Sequence, residues 1–335
     1  MPFWRDDPDL PYRVTLEKWG FPMAHVWAIT ADVMASKNSK SVRFSDRLQF
    51  ALIRSILGVL FALPYRRRVR FLGWVMQHLI APVAGYNRRS KENLEMIAPE
   101  LSSEERSRMV GRVANNIGRT LAELFSAQDF VDHVGGTELS GPGLSQMQEA
   151  QAAGRPIIVI SGHFGNYDVV RSALIRHGYH VGGLYRRMDN PLFHDFYVDR
   201  ISAIGTPLFQ RGRQGLGQMV RHLKSGGTLA ALIDVRAGNG APLTYFGKRA
   251  WTALSMAELA LKYDALVVPC YAVRQPDGLT FKTSVEEPIP HTDPETMTQA
   301  LNDSLEAQVR ENMEQWFWIH RRWKDVPNAV VQEEA

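Results

Sequence analysis

His163 and Asp168 stand five residues apart in the run Ile160-Ser161-Gly162-His163-Phe164-Gly165-Asn166-Tyr167-Asp168. Histidine is the side chain whose ordinary pKa suits proton transfer near neutrality, and a carboxylate can fix its tautomer and stabilise the imidazolium. The spacing predicts a general base, His163, with Asp168 as its orienter. Gly165 between them frees the backbone to bend, so that the carboxylate can come back to an imidazole nitrogen. A His and an Asp at this spacing also recur by chance, so the pair has to be weighed against what surrounds it.

The surroundings favour chemistry. Residues 157–160 are four apolar β-formers bounded by Pro156 and Gly162, the pattern of a short strand buried on both faces. A helical period begins at Asp168. His163 therefore falls at the carboxyl end of a strand, where open α/β sheets place ligands and reacting groups. From about residue 145 helices and strands alternate: predicted helices at 146–153, 168–177, 191–204, 215–223, 253–263 and 295–316, predicted strands at 157–160, 181–185, 207–209, 228–233, 266–273 and 280–285. That alternation predicts an α/β fold with a mixed, largely parallel central sheet flanked by helices. Upstream, Ser102 with Glu105 three residues later has the pattern of a capping box at the start of a helix.

Further polar residues fall at successive strand ends. Arg186 and Asn190 follow the strand at 181–185, Arg200 lies in the next helix, Asp234 closes the strand at 228–233, and Arg236 is two residues beyond. Together they are expected to bind substrate at one rim of the sheet, because a guanidinium fork suits phosphate or carboxylate. Other constellations are missing. No G-x-S-x-G surrounds Ser161, residues 212–217 fit neither a Walker A loop nor G-x-G-x-x-G, and His177 and His180 lack zinc-site companions. No cofactor, metal or nucleic acid is expected.

The chain has 335 residues, of which 45% are hydrophobic, and carries 39 Lys and Arg against 35 Asp and Glu, a formal charge of +4. That is ample for a sizeable core and suits an anionic membrane or an acidic partner. The lone Cys270 sits in a strand-like run and is expected to be a small buried hydrophobe. Residues 1–20 are polar and do not resemble a secretory signal. Residues 48–63 are apolar but interrupted by Arg54, and are shorter than the roughly 20 needed to span a bilayer. Pro64 ends them, Arg66, Arg67, Arg68 and Arg70 follow, and a second apolar stretch covers 71–84. The expectation is a pair of membrane-associated helices lying at an anionic surface, with the arginines among headgroups. The predicted layout is a lead-in at 1–45 with an aromatic-containing run at 19–29, membrane-associated helices at 46–86, an α/β domain at 87–325 and a tail at 326–335.

These motifs, taken together, resemble a known family. The H-F-G-N-Y-D run matches the H-x4-D/E motif of glycerolipid and lysophospholipid acyltransferases, and more specifically the chain resembles the lipid A late acyltransferases, the lauroyl and myristoyl transferases of Gram-negative bacteria. Y-R-R-M-D-N-P at 185–191, D-V-R-A-G at 234–238, Y-F-G-K-R-A at 245–250, Q-W-F-W-I-H-R-R-W-K at 315–324 and the connector N-R-R-S-K-E-N-L-E at 87–95 carry the likeness, in order, over roughly 45–325. The resemblance implies a glycerol-3-phosphate acyltransferase-like fold and transfer of an acyl chain from acyl carrier protein to a hydroxyl of a lipid A precursor at the cytoplasmic face of the inner membrane. It implies His163 as base and Asp168 as its acidic partner, with Arg200 and Asp234 at matching positions of the family. Oxyanion stabilisation would come from backbone N–H groups near Gly165 or from an arginine. The alternatives are another lipid acceptor (a lysophospholipid, an aminolipid or a glycolipid) or a non-catalytic membrane protein.

Overall fold

The apolar run that carries His163 forms strand β1 (Ile157–Ser161), buried along its whole length. Its side chains alternate between two cores, as a period of two requires: Ile157 and Val159 enter one, Ile158 and Ile160 the other. In this computed structural model residues 42–324 are described; the expected lead-in run at 19–29 and the tail at 326–335 lie outside the described residues.

Around β1 the strands β2 (Val181–Tyr185), β3 (Leu208–Gln210), β4 (Thr228–Leu232), β7 (Leu266–Arg274) and β8 (Phe281–Val285) form one six-stranded sheet among the described residues, in the order β3-β2-β4-β1-β7-β8. All neighbours are parallel except β7 and β8. The mixed, largely parallel sheet expected from the alternation is present. Helices α5 (Ala127–His133), α6 (Leu144–Ala152) and α7 (Tyr167–Arg176) contribute Phe130, Met147 and Leu174 to the core on one face. Helices α9 (Arg213–Lys224), α10 (Ser255–Tyr263) and α11 (Pro294–Glu311) contribute Leu223, Ala257 and Leu301 on the other. Cys270 is buried in the first of these cores, and burial pushes its thiol pKa up.

Two expectations are corrected. Residues 241–252 form an antiparallel hairpin, β5 (Ala241–Tyr245) and β6 (Lys248–Thr252), that no pattern predicted. Its turn, Phe246-Gly247, takes positive φ at both residues (53° and 66°), the geometry of a tight hairpin usually announced by Asn-Gly or Asp-Gly. Phe246 tolerates it because its ring is buried against Trp318 and Trp323 and its N–H is taken by the Glu306 carboxylate. The final helix, expected to reach 316, stops at Glu311; Trp316 is extended and bridges to Phe164 instead.

The chain divides after Ala62 into two units. The described part of the first is α1 (Phe44–Phe61), whose Phe44, Leu48, Leu52, Ile56 and Val59 recur at helical spacing and are exposed. In the second, α2 (Tyr65–Val75) leads into a π-helical turn at Met76–Ile80 and a last turn at Ala81–Val83, followed by α3 (Tyr86–Ile97). Phe71, Trp74, Leu79, Ile80 and Val83 are exposed there, as are Arg66, Arg67 and Arg70. Arg68 is not among them. It is buried, donating to Ser126 Oγ at 2.8 Å and pairing with Asp129 at 2.7 Å, so it ties α2 to α5 rather than meeting headgroups. The buried side of α2 packs on α4 (Ser103–Phe125), where Gly118 allows close approach: a Cβ there would lie 2.4 Å from the Leu72 carbonyl. The Ser102–Glu105 capping box opens α4 as expected, with Glu105 N–H donating to Ser102 Oγ and Ser102 N–H to Glu105 Oε2. No helix of the described residues is long and apolar enough to cross a membrane.

Candidate active site

Strand register brings the site together. β1 and β4 are parallel neighbours with Ser161 opposite Leu232, and Ile233 N–H donates to the Ser161 carbonyl at 3.2 Å. Two residues past that matched position stand His163 on one strand and Asp234 on the other. His163 Nδ1 lies 2.8 Å from Asp234 Oδ1, and the His163 backbone N–H donates to Oδ2 at 2.7 Å. Trp316 Nε1–H donates to the same Oδ2 at 2.9 Å. The imidazole's partner is therefore Asp234, not Asp168 as the sequence predicts.

The electrostatics of the pair follow from those contacts. Burial raises the Asp234 pKa, but the charge and hydrogen bonds of His163 and the Trp316 N–H outweigh it, leaving the carboxyl at about 2. Burial lowers the His163 pKa, and the Asp234 charge and hydrogen bond more than offset that, so it ends raised. An ionised carboxylate only accepts, so in the neutral imidazole Nδ1 carries the proton and Nε2 keeps its lone pair. The imidazole is one-third exposed while Asp234 is 2% exposed: one end of the pair is reachable and the other sealed. Around the ring, Tyr167 packs edge-on at 5.7 Å and Phe317 lies tilted at 5.7 Å.

The loop carrying His163 is fastened on every side. Phe164 N–H donates to Gly162 O, Gly165 N–H to Gln315 O, and Phe317 N–H to His163 O. With the His163 N–H on Asp234, all three amides from 163 to 165 are engaged. Gly165 takes φ +54° and sits so close to β7 that a Cβ would lie 2.0 Å from the Ala272 carbonyl. Its freedom thus serves packing, not the return of Asp168 to the imidazole. Below the loop, Asn166 Nδ2 donates to the buried Glu123, which also accepts from Arg274 at 2.8 Å, and Thr120 Oγ1 donates to Gly165 O.

Asp168 belongs to a second arrangement. Asn166 caps α7 by accepting from the Asp168 N–H, and the Asp168 carboxylate pairs with Arg171 Nε at 3.1 Å one turn on. Both side chains are buried, and Arg171 also donates to the Ile201 carbonyl of α8 (Pro191–Ile204). Burial raises the Asp168 pKa, with Arg171 opposing. The pair lines a cavity of about 80 Å³ with Tyr167, Leu184 and Ser161, whose buried Oγ has no hydrogen-bond partner among the described residues.

The remaining predicted substrate residues are placed as follows. Arg186 is exposed and paired with Asp189 at 3.0 Å. Asn190 is the N-cap of α8, its Oδ1 accepting from the Leu192 and Phe193 amides, so that oxygen is committed to the helix. Arg200 lies over the Phe196 ring at 5.0 Å and beside Asp199. Asp234, expected to place substrate, is hydrogen-bonded to both the backbone and the ring of His163. Trp316 was visible only as part of the closing motif. The signal for its role is the alternation of that motif: Trp316 and Trp318 are fully buried and pack against each other at 4.8 Å, with Tyr245, Phe246 and Trp323 around them. Among the described residues no group of three His, Cys, Asp or Glu could hold a metal ion.

Comparison with known proteins identifies the family. The model of the family described as bacterial lipid A biosynthesis acyltransferase matches residues 35–325. The chain is 27% identical over 253 residues to a lipid A biosynthesis lauroyltransferase of Escherichia coli (strain K12), covering 72% of this chain and 81% of that one. It is 26% identical over 294 residues to a lipid A biosynthesis acyltransferase of Haemophilus influenzae, covering 84% and 90%. A lipid A biosynthesis palmitoleoyltransferase of Escherichia coli is 25% identical over 251 residues, 71% and 78%. With an α/β sheet that sets a histidine and an ionised aspartate at adjacent strand ends, and a family match across nearly the whole described chain, this protein belongs to the bacterial lipid A biosynthesis acyltransferase family and is an acyltransferase.

Proposed function

We propose that the enzyme transfers a fatty acyl chain from an acyl carrier protein thioester to a hydroxyl of a lipid A precursor, with His163 as general base. The observation that carries this reading is the His163–Asp234 pair, half open at the imidazole and sealed at the carboxylate. Nε2 takes the proton of the acceptor hydroxyl as its oxygen attacks the thioester carbonyl. The C–O bond forms, the C–S bond breaks, and the imidazolium returns its proton to the departing thiolate. Asp234 stabilises the imidazolium in between. Such help is worth about two to four orders of magnitude in rate. Asp168 is a positioning residue in this scheme: with Arg171 it fixes the first turn of α7, directly after the catalytic loop.

The acceptor is a lipid, and the exposed residues Phe71, Trp74, Leu79, Ile80 and Val83, flanked by Arg66, Arg67 and Arg70, fit a docking face for anionic lipid at the cytoplasmic side of the inner membrane. In the first unit, exposed Phe44, Leu48, Leu52, Ile56 and Val59 on α1 make an apolar stripe that by itself also suits a lipid surface. The test is acyl transfer from a panel of acyl carrier protein donors to lipid A precursors, lysophospholipids, aminolipids and glycolipids, read by mass spectrometry, with His163→Ala as control. Transfer to a lipid A precursor that the control lacks supports the reading; transfer only to another lipid class reassigns the acceptor. Flotation with anionic vesicles, comparing wild type with Arg66→Gln/Arg67→Gln/Arg70→Gln, tests the docking face. Equal partitioning of the two would remove those arginines from it.

A further inference from the structure

Three segments far apart in the chain converge on a cavity of about 470 Å³ lined by Arg89, Arg236, Ile319, His320, Arg321 and Lys324. Arg89 comes from α3, Arg236 from the turn after β4, and the others from the closing turn of the described chain. The walls are fastened together. Asn93, one turn after Arg89, donates to the Trp318 and His320 carbonyls. The Arg236 N–H donates to His320 Nε2 at 2.9 Å, and Arg236 Nη1 reaches the Lys324 carbonyl. A histidine that accepts there is neutral, and burial, helped by the neighbouring guanidinium groups of Arg322 and Arg236, pushes its pKa down to about 4 against the pull of Asp234.

The closing motif divides by side. Arg322 turns inward and donates to the Trp251 carbonyl and Thr252 Oγ1, and Trp323 stacks inside on Tyr245. Arg321 and Lys324 turn outward to the cavity, and both are exposed. No ion pair joins Arg89, Arg321 or Lys324 to a carboxylate of the described residues, and Arg89 Nε is buried with no hydrogen-bond partner among them. Cations gathered on the walls of one concavity repel each other unless an anion lies between them. The cavity wall is tied to the His163–Asp234 pair: Arg236 is two residues from Asp234, and the His320 N–H donates to the carbonyl of Phe317, whose own N–H holds the His163 carbonyl.

The geometry points to a phosphoryl-binding pocket formed by Arg89, Arg321 and Lys324, with Arg236 in its wall, which seats a phosphorylated headgroup near the imidazole. Guanidinium forks and an ammonium around a multi-oxygen anion suit phosphate. The volume exceeds that of one phosphate and falls in the range of small-ligand sites, leaving room for the sugar or linker that bears it. Two sources offer this chemistry: a phosphate on the acceptor lipid, and the phosphodiester of the carrier protein's phosphopantetheine arm. What the pocket is for rests on the acyl-transfer reading above; whether it holds a phosphoryl group does not.

The test uses the full-length protein, the charge-removing variant Arg321→Gln/Lys324→Gln and the charge-keeping variant Arg321→Lys/Lys324→Arg. Calorimetry with inorganic pyrophosphate should show saturable binding to wild type, at least about tenfold weaker in the charge-removing variant and largely kept in the charge-keeping one. In turnover, kcat/KM is compared for a phosphorylated disaccharide lipid and its dephosphorylated form, and for acyl carrier protein and acyl-pantetheine donors. If the pocket seats the acceptor's phosphate, the preference for the phosphorylated lipid collapses about tenfold, through KM, in the charge-removing variant alone. If it seats the donor's, the preference for the carrier protein over acyl-pantetheine collapses instead. Pyrophosphate binding that is absent from wild type, or unchanged by removing both charges, overturns the proposal, as does an equal loss with every substrate pair. Should wild type bind pyrophosphate as described yet acylate no lipid, the pocket stands and the acyl-transfer reading falls.

Discussion

Asp234 and Asp168 are both buried beside the strand that leads to His163, and burial raises the pKa of each, yet the two finish on opposite sides of the ordinary carboxylate value. Asp234 receives the imidazole Nδ1–H, a backbone N–H and an indole N–H; Asp168 has the Arg171 guanidinium as its charged partner at 3.1 Å. Burial by itself therefore does not say which carboxylate supports a base. The number and aim of the donors decide, because each favours the ionised form by an amount comparable to the desolvation it opposes. One aspartate is arranged to stay charged beside an imidazole, and the other to lock a helix start.

The largest expected effect separates the two in rate. His163→Ala and Asp234→Asn should each lose about two to four orders of magnitude in kcat, whereas Asp168→Asn should lose less than about tenfold per folded molecule. A steady-state assay normalised by circular dichroism checks this, and the reverse ranking would break the comparison. Stability comes next. Asp168→Asn leaves Arg171 buried without its anion and should lower the unfolding free energy by about 3–5 kcal/mol in urea titration, while Asp168→Asn/Arg171→Met should recover much of that. Equal losses in the single and double variants would mean the ion pair is not what Asp168 supplies.

The pH dependence sharpens the same contrast. The base must be neutral, so kcat/KM should fall as pH drops through the raised His163 pKa, placing the acid limb above the ordinary histidine value of about 6.5. Asp234→Asn should move that limb down, and Asp168→Asn should leave it in place. For stability, the raised His163 contributes fully below the unfolded histidine pKa and its share is lost as pH rises through the folded value. The depressed Asp234 contributes above the unfolded carboxylate pKa, and its share is lost as pH falls toward about 2. The pair is thus most stabilising between roughly pH 4 and 6.5. Thermal melts of wild type and Asp234→Asn should differ most in that window. The smallest effect is Trp316→Phe, which removes one donor from Asp234 but keeps most of the packing. It should cost about 1–3 kcal/mol of stability and shift the acid limb by a fraction of a pH unit. An unchanged limb and melt would show that the indole N–H is not what holds the carboxylate.

The sheet was legible because its strands are apolar runs set between helical periods. β1, β2 and β4 fall within a residue or so of their predicted bounds, as does the box at Ser102. The β5–β6 hairpin was not, since its turn is Phe246-Gly247 and its positive φ is stabilised by aromatic packing from residues 70 and more positions away. His163 could be read from the sequence as lying just past the end of a strand. Its partner could not be read from spacing in the chain, because Asp234 is brought to it by the pairing of β1 with β4, a fact of strand order. Five residues of separation made Asp168 look close; the helix cap at Asn166 and the pull of Arg171 turn it elsewhere. Arg89 likewise meets Arg321 and Lys324 only because Asn93 ties α3 to the closing turn.

That closing turn also sets when the enzyme can first work. The strands that hold His163 and Asp234 are complete once residue 285 has been made, but Trp316 supplies a donor to the carboxylate, Gln315 holds the Gly165 amide and Phe317 the His163 carbonyl. The last partners of the site are therefore made some thirty residues after the last strand of the sheet, about two to six seconds later at bacterial rates of synthesis. The site is complete only with the last described turn, well after the strands that carry it.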